Sequence, residues 1–134
     1  MNITDLLIRH EGLRLHPYTD TVGKLTIGIG RNLIDRGITK GEALIMLEHD
    51  IADFTKQLSE RLYWFDTQPE NVKLVLVNMC FNLGLAGLLT FHNTLEHIKQ
   101  GQYELAAKEM LLSKWARQVG NRAIELSEIL KNKV

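Results

Sequence analysis

The sequence predicts an α+β fold, mostly α-helical: a small N-terminal lobe of a β-hairpin or sheet, a long helix joining two lobes, and a helical C-terminal lobe. Three observations predict it. Leu25, Ile27 and Ile29 alternate with Thr26, Gly28 and Gly30, the period of a strand with one apolar and one small-residue face. Leu44, Leu47, Ile51, Phe54, Leu58 and Leu62 recur at intervals of three and four, which implies a helix from about residue 40 to 62, roughly 35 Å long at ~1.5 Å per residue. Beyond it the apolar pattern stays helical and is punctuated by capping residues and glycines. With 134 residues, 45% of them hydrophobic and 24% charged, the chain can build a core but not several domains. The expected organisation is one domain over residues 1–134: small lobe about 13–40, interlobe helix about 40–62, helical lobe about 63–134, with helix 3–11 packed on the helical lobe.

In chain order, Ile3, Leu6, Leu7 and His10 form one helical stripe over residues 3–11, and Gly12 is placed to end it. Pro17 and Tyr18 open a polar turn, Thr19 to Gly23, leading into the strand at Leu25 as half of a hairpin. Thr39 with Glu42 has the spacing of a capping box at the start of the long helix, and Thr67 with Glu70 repeats it around Pro69. A buried helix should follow to about Leu83. Leu74 to Phe91 carries no formal charge over eighteen residues, near the minimum for a membrane span, but Asn78 and Asn82 interrupt it and Gly84 and Gly87 supply a stop. Two core helices meeting at a glycine turn fit better than a span. Thr90, Gly101 and the Tyr103 to Leu112 stretch punctuate two shorter helices, and Asn121 is placed to cap a last one carrying Ile124, Leu126, Ile129 and Leu130.

Composition excludes several functions. Sixteen Lys plus Arg offset sixteen Asp plus Glu, so net charge gives no support to a nucleic-acid partner or an anionic membrane surface. The single cysteine, Cys80, lies in an apolar run and reads as a small buried hydrophobe. The N-terminal stretch lacks the basic region, apolar run and cleavage site of a secretory signal. Five histidines are scattered without the spacing of a helical metal site, so neither metal nor cofactor is expected. Gly28-Ile29-Gly30 lacks the third glycine of a dinucleotide fingerprint, Gly23-Lys24 lacks the upstream glycine of a phosphate loop, and no serine has the glycines of a nucleophile elbow.

What remains is a pair of carboxylates in unlike settings. Glu11 falls near the edge of the first apolar stripe, where partial burial would favour the protonated acid; Asp20 lies between Thr19 and Thr21 in a polar turn that keeps a carboxylate ionised. One acid and one base is what glycoside hydrolysis requires. Thr26 offers a hydroxyl that could hold a water, and Gly28 and Gly30 let a bulky chain approach the backbone. Spacing alone favours ordinary roles: Glu11 paired with Arg9, Arg14 or a distant arginine, Asp20 a turn residue, Thr26 a strand filler.

The segments His10-Glu11-Gly12-Leu13-Arg14-Leu15, Tyr18-Thr19-Asp20-Thr21 and Leu25-Thr26-Ile27-Gly28-Ile29-Gly30 resemble the active-site signature of the phage-type lysozymes, the muramidase family that includes the T-even phage endolysins. Further resemblance lies in Ile38-Thr39-Lys40, in Asn78 to Gly84, and in Ser113-Lys114-Trp115 through Asn121-Arg122-Ala123. The resemblance implies a lysozyme-like two-lobed fold and an N-acetylmuramidase that cleaves the β-1,4 link between N-acetylmuramic acid and N-acetylglucosamine. It implies Glu11 as general acid, with Asp20 and Thr26 managing the attacking water, and Asn32, Phe81, Thr94, Glu109 and Arg122 as substrate-binding residues. Departures from the family pattern are Asn32 in place of leucine, Glu109 in place of asparagine, and Arg31 where histidine is common, so an ion pair at Arg31 would not titrate as a histidine would. The loop between Gly30 and Thr39 is short. The implied partner is peptidoglycan glycan strands, met by a monomer that reaches the wall from the host cytoplasm through a holin-like pore or is carried on a phage particle. A non-catalytic wall-binding module is the alternative from another class, but a binder has no need of the Glu11, Asp20 and Thr26 trio. A lytic transglycosylase would need the acid without the two water-holding groups.

Overall fold

The computed structural model describes residues 2–132, so the ends of the predicted helical lobe, Lys133 and Val134, lie outside the described residues. The elements in order are helix α1 (Ile3–Glu11), strands β1 (Arg14–Thr19), β2 (Leu25–Gly28) and β3 (Arg31–Asn32), and helices α2 (Lys40–Arg61), α3 (Glu70–Leu89), α4 (His92–Lys99), α5 (Tyr103–Leu111), α6 (Lys114–Val119) and α7 (Asn121–Asn132). This is the mostly helical α+β class that the sequence predicts. The chain divides into two compact units, one up to Met46 and one from Leu47.

In the first unit α1 is capped by Asn2, whose side chain accepts the Asp5 N–H at 2.8 Å, and it ends at Gly12, whose φ of 76° suits glycine. A three-stranded antiparallel sheet follows in the order β1-β2-β3, with Tyr18 opposite Thr26 and Thr26 opposite Asn32. Residues paired across a ladder project to the same face, so Tyr18, Thr26 and Asn32 share one side of the sheet. The capping box at α2 forms as the spacing predicts: Thr39 Oγ1 accepts the Glu42 N–H at 3.1 Å, and the Glu42 carboxylate accepts the Thr39 N–H at 2.9 Å. Glu42 also takes a two-pronged ion pair from Arg31, at 2.8 and 2.6 Å, while Arg31 donates to the Gly37 carbonyl at 3.1 Å. That fork ties β3 to the first turn of α2 across the short loop.

The second unit holds the core. Leu58 of α2 and Phe65 join Val72, Val75, Leu76, Met79 and Cys80 of α3, Met110 of α5 and Leu126 and Leu130 of α7. Helix α7 packs on α3, α5 and α6, and α4 packs on α5. The apolar stretch is interrupted at Gly84, which adopts φ 75° and ψ 161° and so divides α3 into two helical arms, as the glycines predict. α3 is long and apolar enough to cross a membrane by length and composition, yet it supplies much of this core.

Two expected caps differ. Thr67 does not cap α3: its hydroxyl donates to the Trp64 carbonyl at 3.1 Å, and Pro69 is the N-cap without any side-chain cap bond. Asn121 is the first helical residue of α7 rather than its cap, and the side-chain cap in this region is Ser113, which accepts the Ala116 N–H at 3.1 Å. Of the stripe on α2 only Leu58 is buried, whereas Leu44, Leu47 and Ile51 are exposed.

Candidate active site

Glu11, Asp20 and Thr26 all lie in the first unit. Glu11 is the last residue of α1 and is exposed, which corrects the expectation of partial burial. No residue of α1 is buried, and Ile3 and Leu7 are 67% and 45% exposed. Periodicity identifies the apolar face of a helix but not what covers it. What locates Glu11 is a glycine. A Cβ built on Gly30 would stand 2.6 Å from Glu11 Oε2, 2.8 Å from its Cδ and 2.9 Å from its Cγ, so the carboxylate rests directly on the Gly30 backbone. Gly30 also has a φ of 70°. The close approach expected for a substrate at Gly28 and Gly30 is therefore made, at Gly30, by Glu11 itself; at Gly28 the corresponding space is open.

Asp20 and Thr26 are joined through the backbone of Lys24. Asp20 Oδ1 accepts N–H groups from Lys24 at 2.8 Å and Val22 at 3.0 Å. The Lys24 carbonyl in turn accepts the Asp20 N–H at 2.9 Å and the Thr26 hydroxyl at 2.9 Å. Gly23, at φ 83°, closes the turn as the hairpin reading expects. Two consequences follow. Asp20 has one oxygen fixed by the turn, and Oδ2 has no hydrogen-bond partner among the described residues. Thr26, 3% exposed, spends its proton on Lys24 and keeps oxygen lone pairs that can only accept.

The residues implied for substrate binding fall in three places. Asn32 belongs to the first unit, where Oδ1 accepts the N–H groups of Ile34 at 3.0 Å and Asp35 at 2.9 Å and Nδ2 donates to Asp35 at 3.1 Å. Its polar atoms thus shape the loop after β3. Asp35 also meets Lys24 Nζ at 3.3 Å. Phe81 and Arg122 come together in the second unit, on a mainly apolar cavity of about 650 Å³ that also includes Leu74, Val77 and Asn78. Phe81 stacks at a tilt on Phe54, ring centres 5.6 Å apart, and Arg122 donates twice to Asn78 Oδ1, at 2.8 and 3.0 Å. Thr94 and Glu109 meet on a second cavity of about 550 Å³ in the same unit. Sequence reasoning missed Asn78 as the residue that orients Arg122, and Asn82 as the acceptor of the Trp115 indole N–H at 2.7 Å. The signal was present: an amide inside an apolar helix needs a partner.

The phage lysozyme family matches residues 8–131, nearly the whole chain. The chain belongs to this family. Probable T4-type lysozyme 1 of Dictyostelium discoideum is 31% identical to it over 97% of this chain and 94% of that protein. An endolysin of Acyrthosiphon pisum secondary endosymbiont phage 1 is 31% identical over 96% of this chain and 87% of its own length. The pre-baseplate central spike protein Gp5 of Enterobacteria phage T4 is 28% identical over 97% of this chain, which spans 28% of that protein. As a phage lysozyme the protein is a glycoside hydrolase.

Proposed function

We propose that this phage lysozyme is an endolysin-type N-acetylmuramidase that hydrolyses the β-1,4 bond between N-acetylmuramic acid and N-acetylglucosamine in peptidoglycan, inverting the anomeric carbon. The observation that carries the reading is the acceptor pair made by Asp20 and Thr26. A water held by Asp20 Oδ2 and Thr26 Oγ1 would give a hydrogen to each of these two acceptors, which would leave an oxygen lone pair for attack. As its oxygen bonds to the anomeric carbon, one proton passes to Asp20. The glycosidic C–O bond breaks, and the leaving oxygen takes the proton of Glu11. A carboxylate that holds water in this way stands off from the sugar, at roughly 6.5 to 9.5 Å between carboxyl groups in inverting enzymes against about 5 to 5.5 Å where the carboxylate attacks directly.

The test uses clearing of outer-membrane-stripped cells and proton NMR of the first reducing ends formed. The expected result is α product, near-total loss of clearing in Glu11→Gln, and a large but less complete loss in Asp20→Ala. Initial β product, or a glycosyl adduct trapped on Asp20, would overturn inversion; wild-type protein that binds walls without releasing reducing ends would overturn the enzyme reading.

A further inference from the structure

We infer that the cavity shared by Thr94 and Glu109 takes a protonated primary amine of the substrate, and that Glu109 is the residue that selects it. The inference rests on the reading that peptidoglycan is the substrate. Its starting point is an anion in a concave site that makes no ion pair among the described residues. Glu109, on the last turn of α5, is half-buried, and Asn93 Nδ2 donates to its Oε1 at 3.1 Å. That bond fixes the carboxylate while leaving Oε2 open. Among the described residues no Lys, Arg or His forms an ion pair with it. His92 and Lys114 lie on the same cavity, but both are exposed, so the Lys114 charge is better screened by water than that of Glu109.

The rest of the cavity suits the same ligand. Thr94, a residue only 2% exposed, lines the cavity, and its hydroxyl has no hydrogen-bond partner among the described residues, so it is open to a ligand there. Phe91 and Trp115 meet edge to face with ring centres 5.9 Å apart, and the bond from the indole N–H to Asn82 locks the Trp115 ring. They supply a rigid apolar wall beside two polar groups, Glu109 and Thr94, that can accept hydrogen bonds. An ammonium offers three N–H donors and a positive charge to that pair. An acetamido group offers one N–H, no charge, and a carbonyl that would face the carboxylate. Two components of peptidoglycan carry such an amine: glucosamine that has lost its acetyl group, and a diamino acid with a free amine in the peptide stem.

Calorimetric titration of the complete chain at low salt decides the matter, with glucosamine hexamer, N-acetylglucosamine hexamer and a diamino-acid stem tetrapeptide as separate probes. The expected result is up to about fivefold tighter binding of the amine-bearing hexamer than of its acetylated counterpart, as for a partly exposed ion pair, fading with added salt. Glu109→Gln should abolish that preference, and the Trp115 indole NMR signal should shift with the amine ligand. A preference for the tetrapeptide, lost when its amine is acetylated and in Glu109→Gln, would assign the amine to the stem instead of the sugar. Equal binding of amine and acetylated forms, no binding of either amine, or a preference that survives Glu109→Gln would overturn the inference. Clearing assays report separately on the muramidase reading: walls cleared without amine preference sink this inference alone, and amine preference without wall hydrolysis sinks only the activity.

Discussion

Because Glu11, the proposed general acid, is seated on a glycine, Gly30→Ala is the sharpest probe of the site. An added methyl would stand 2.6 Å from Glu11 Oε2, so the carboxylate must retreat by about 1 Å to reach ordinary van der Waals distance, or rotate away altogether. A displacement of about 1 Å in a reacting group can cost roughly 100-fold in rate. The same substitution forces alanine to φ 70°, a strain of about 1–2 kcal/mol, which in a chain of this size lowers the melting temperature by roughly 3–8 °C. Gly28 separates the two effects, since it has the same φ of 70° but nothing within 4 Å of a new Cβ. Gly28→Ala should therefore lose similar stability and keep most of its kcat, while Gly30→Ala loses similar stability and about 100-fold in kcat. Clearing rates and thermal unfolding of the two variants, measured side by side well below either melting temperature, give the comparison. Equal kcat in the two variants would refute the claim that Gly30 positions Glu11.

Two further outcomes follow from the other charged and buried groups. The Arg31 fork, and after it the Thr39 N–H, hold Glu42 down to about 2 from 4.5. A carboxyl whose folded-state value is depressed stabilises above its unfolded value and loses that contribution as pH falls, so Glu42→Gln should destabilise the protein at neutral pH, with the difference from wild type shrinking between about pH 4.5 and 2; chemical denaturation at several pH values measures it, and a pH-independent difference would contradict the linkage. Cys80 is fully buried, and burial pushes its thiol up to about 11, so a thiol reagent at neutral pH should label it only as fast as the second unit opens; immediate labelling of the folded protein would contradict its burial.

Much of the fold was legible because its signals are local. The alternation at Leu25 to Gly30, the capping box at Thr39 and Glu42 and the glycine break at Gly84 each depend on a few adjacent residues, and each forms as read. The failures lie where a helix starts off the expected place. Gln68 precedes a proline, which disfavours helical backbone there, so α3 starts after Pro69 and Thr67 is left outside it, whereas α7 already includes Asn121 because the Gly120 carbonyl accepts from Ala123 and Ile124. Of the site, the identities of Glu11, Asp20 and Thr26 came from motif resemblance, whereas their working arrangement did not. No pattern announces that one carbonyl, that of Lys24, accepts from both Asp20 and Thr26, or that the glycine beside the strand exists to seat Glu11.

The two units are held by different physics. In the second, close-packed apolar side chains dominate, and individual polar contacts such as Asn82 with Trp115 orient what the core already fixes. In the first, Thr26 is the one buried side chain among the described residues, so burial of apolar area contributes little to its geometry. Its form comes instead from directional bonds: the Asp20 turn on Lys24, the Asn32 loop, the Arg31 fork on Glu42 and the seat at Gly30. Hydrogen bonds fix direction more sharply than apolar contact does, which suits a site where a water must be aimed and a carboxyl placed. They also use up acceptors, and the proposed chemistry draws on what the turn leaves free: one oxygen of Asp20 and the lone pairs of Thr26. Removing the Lys24 carbonyl's donors would thus alter structure and reactivity together, whereas truncating a side chain in the second unit's core would alter stability first.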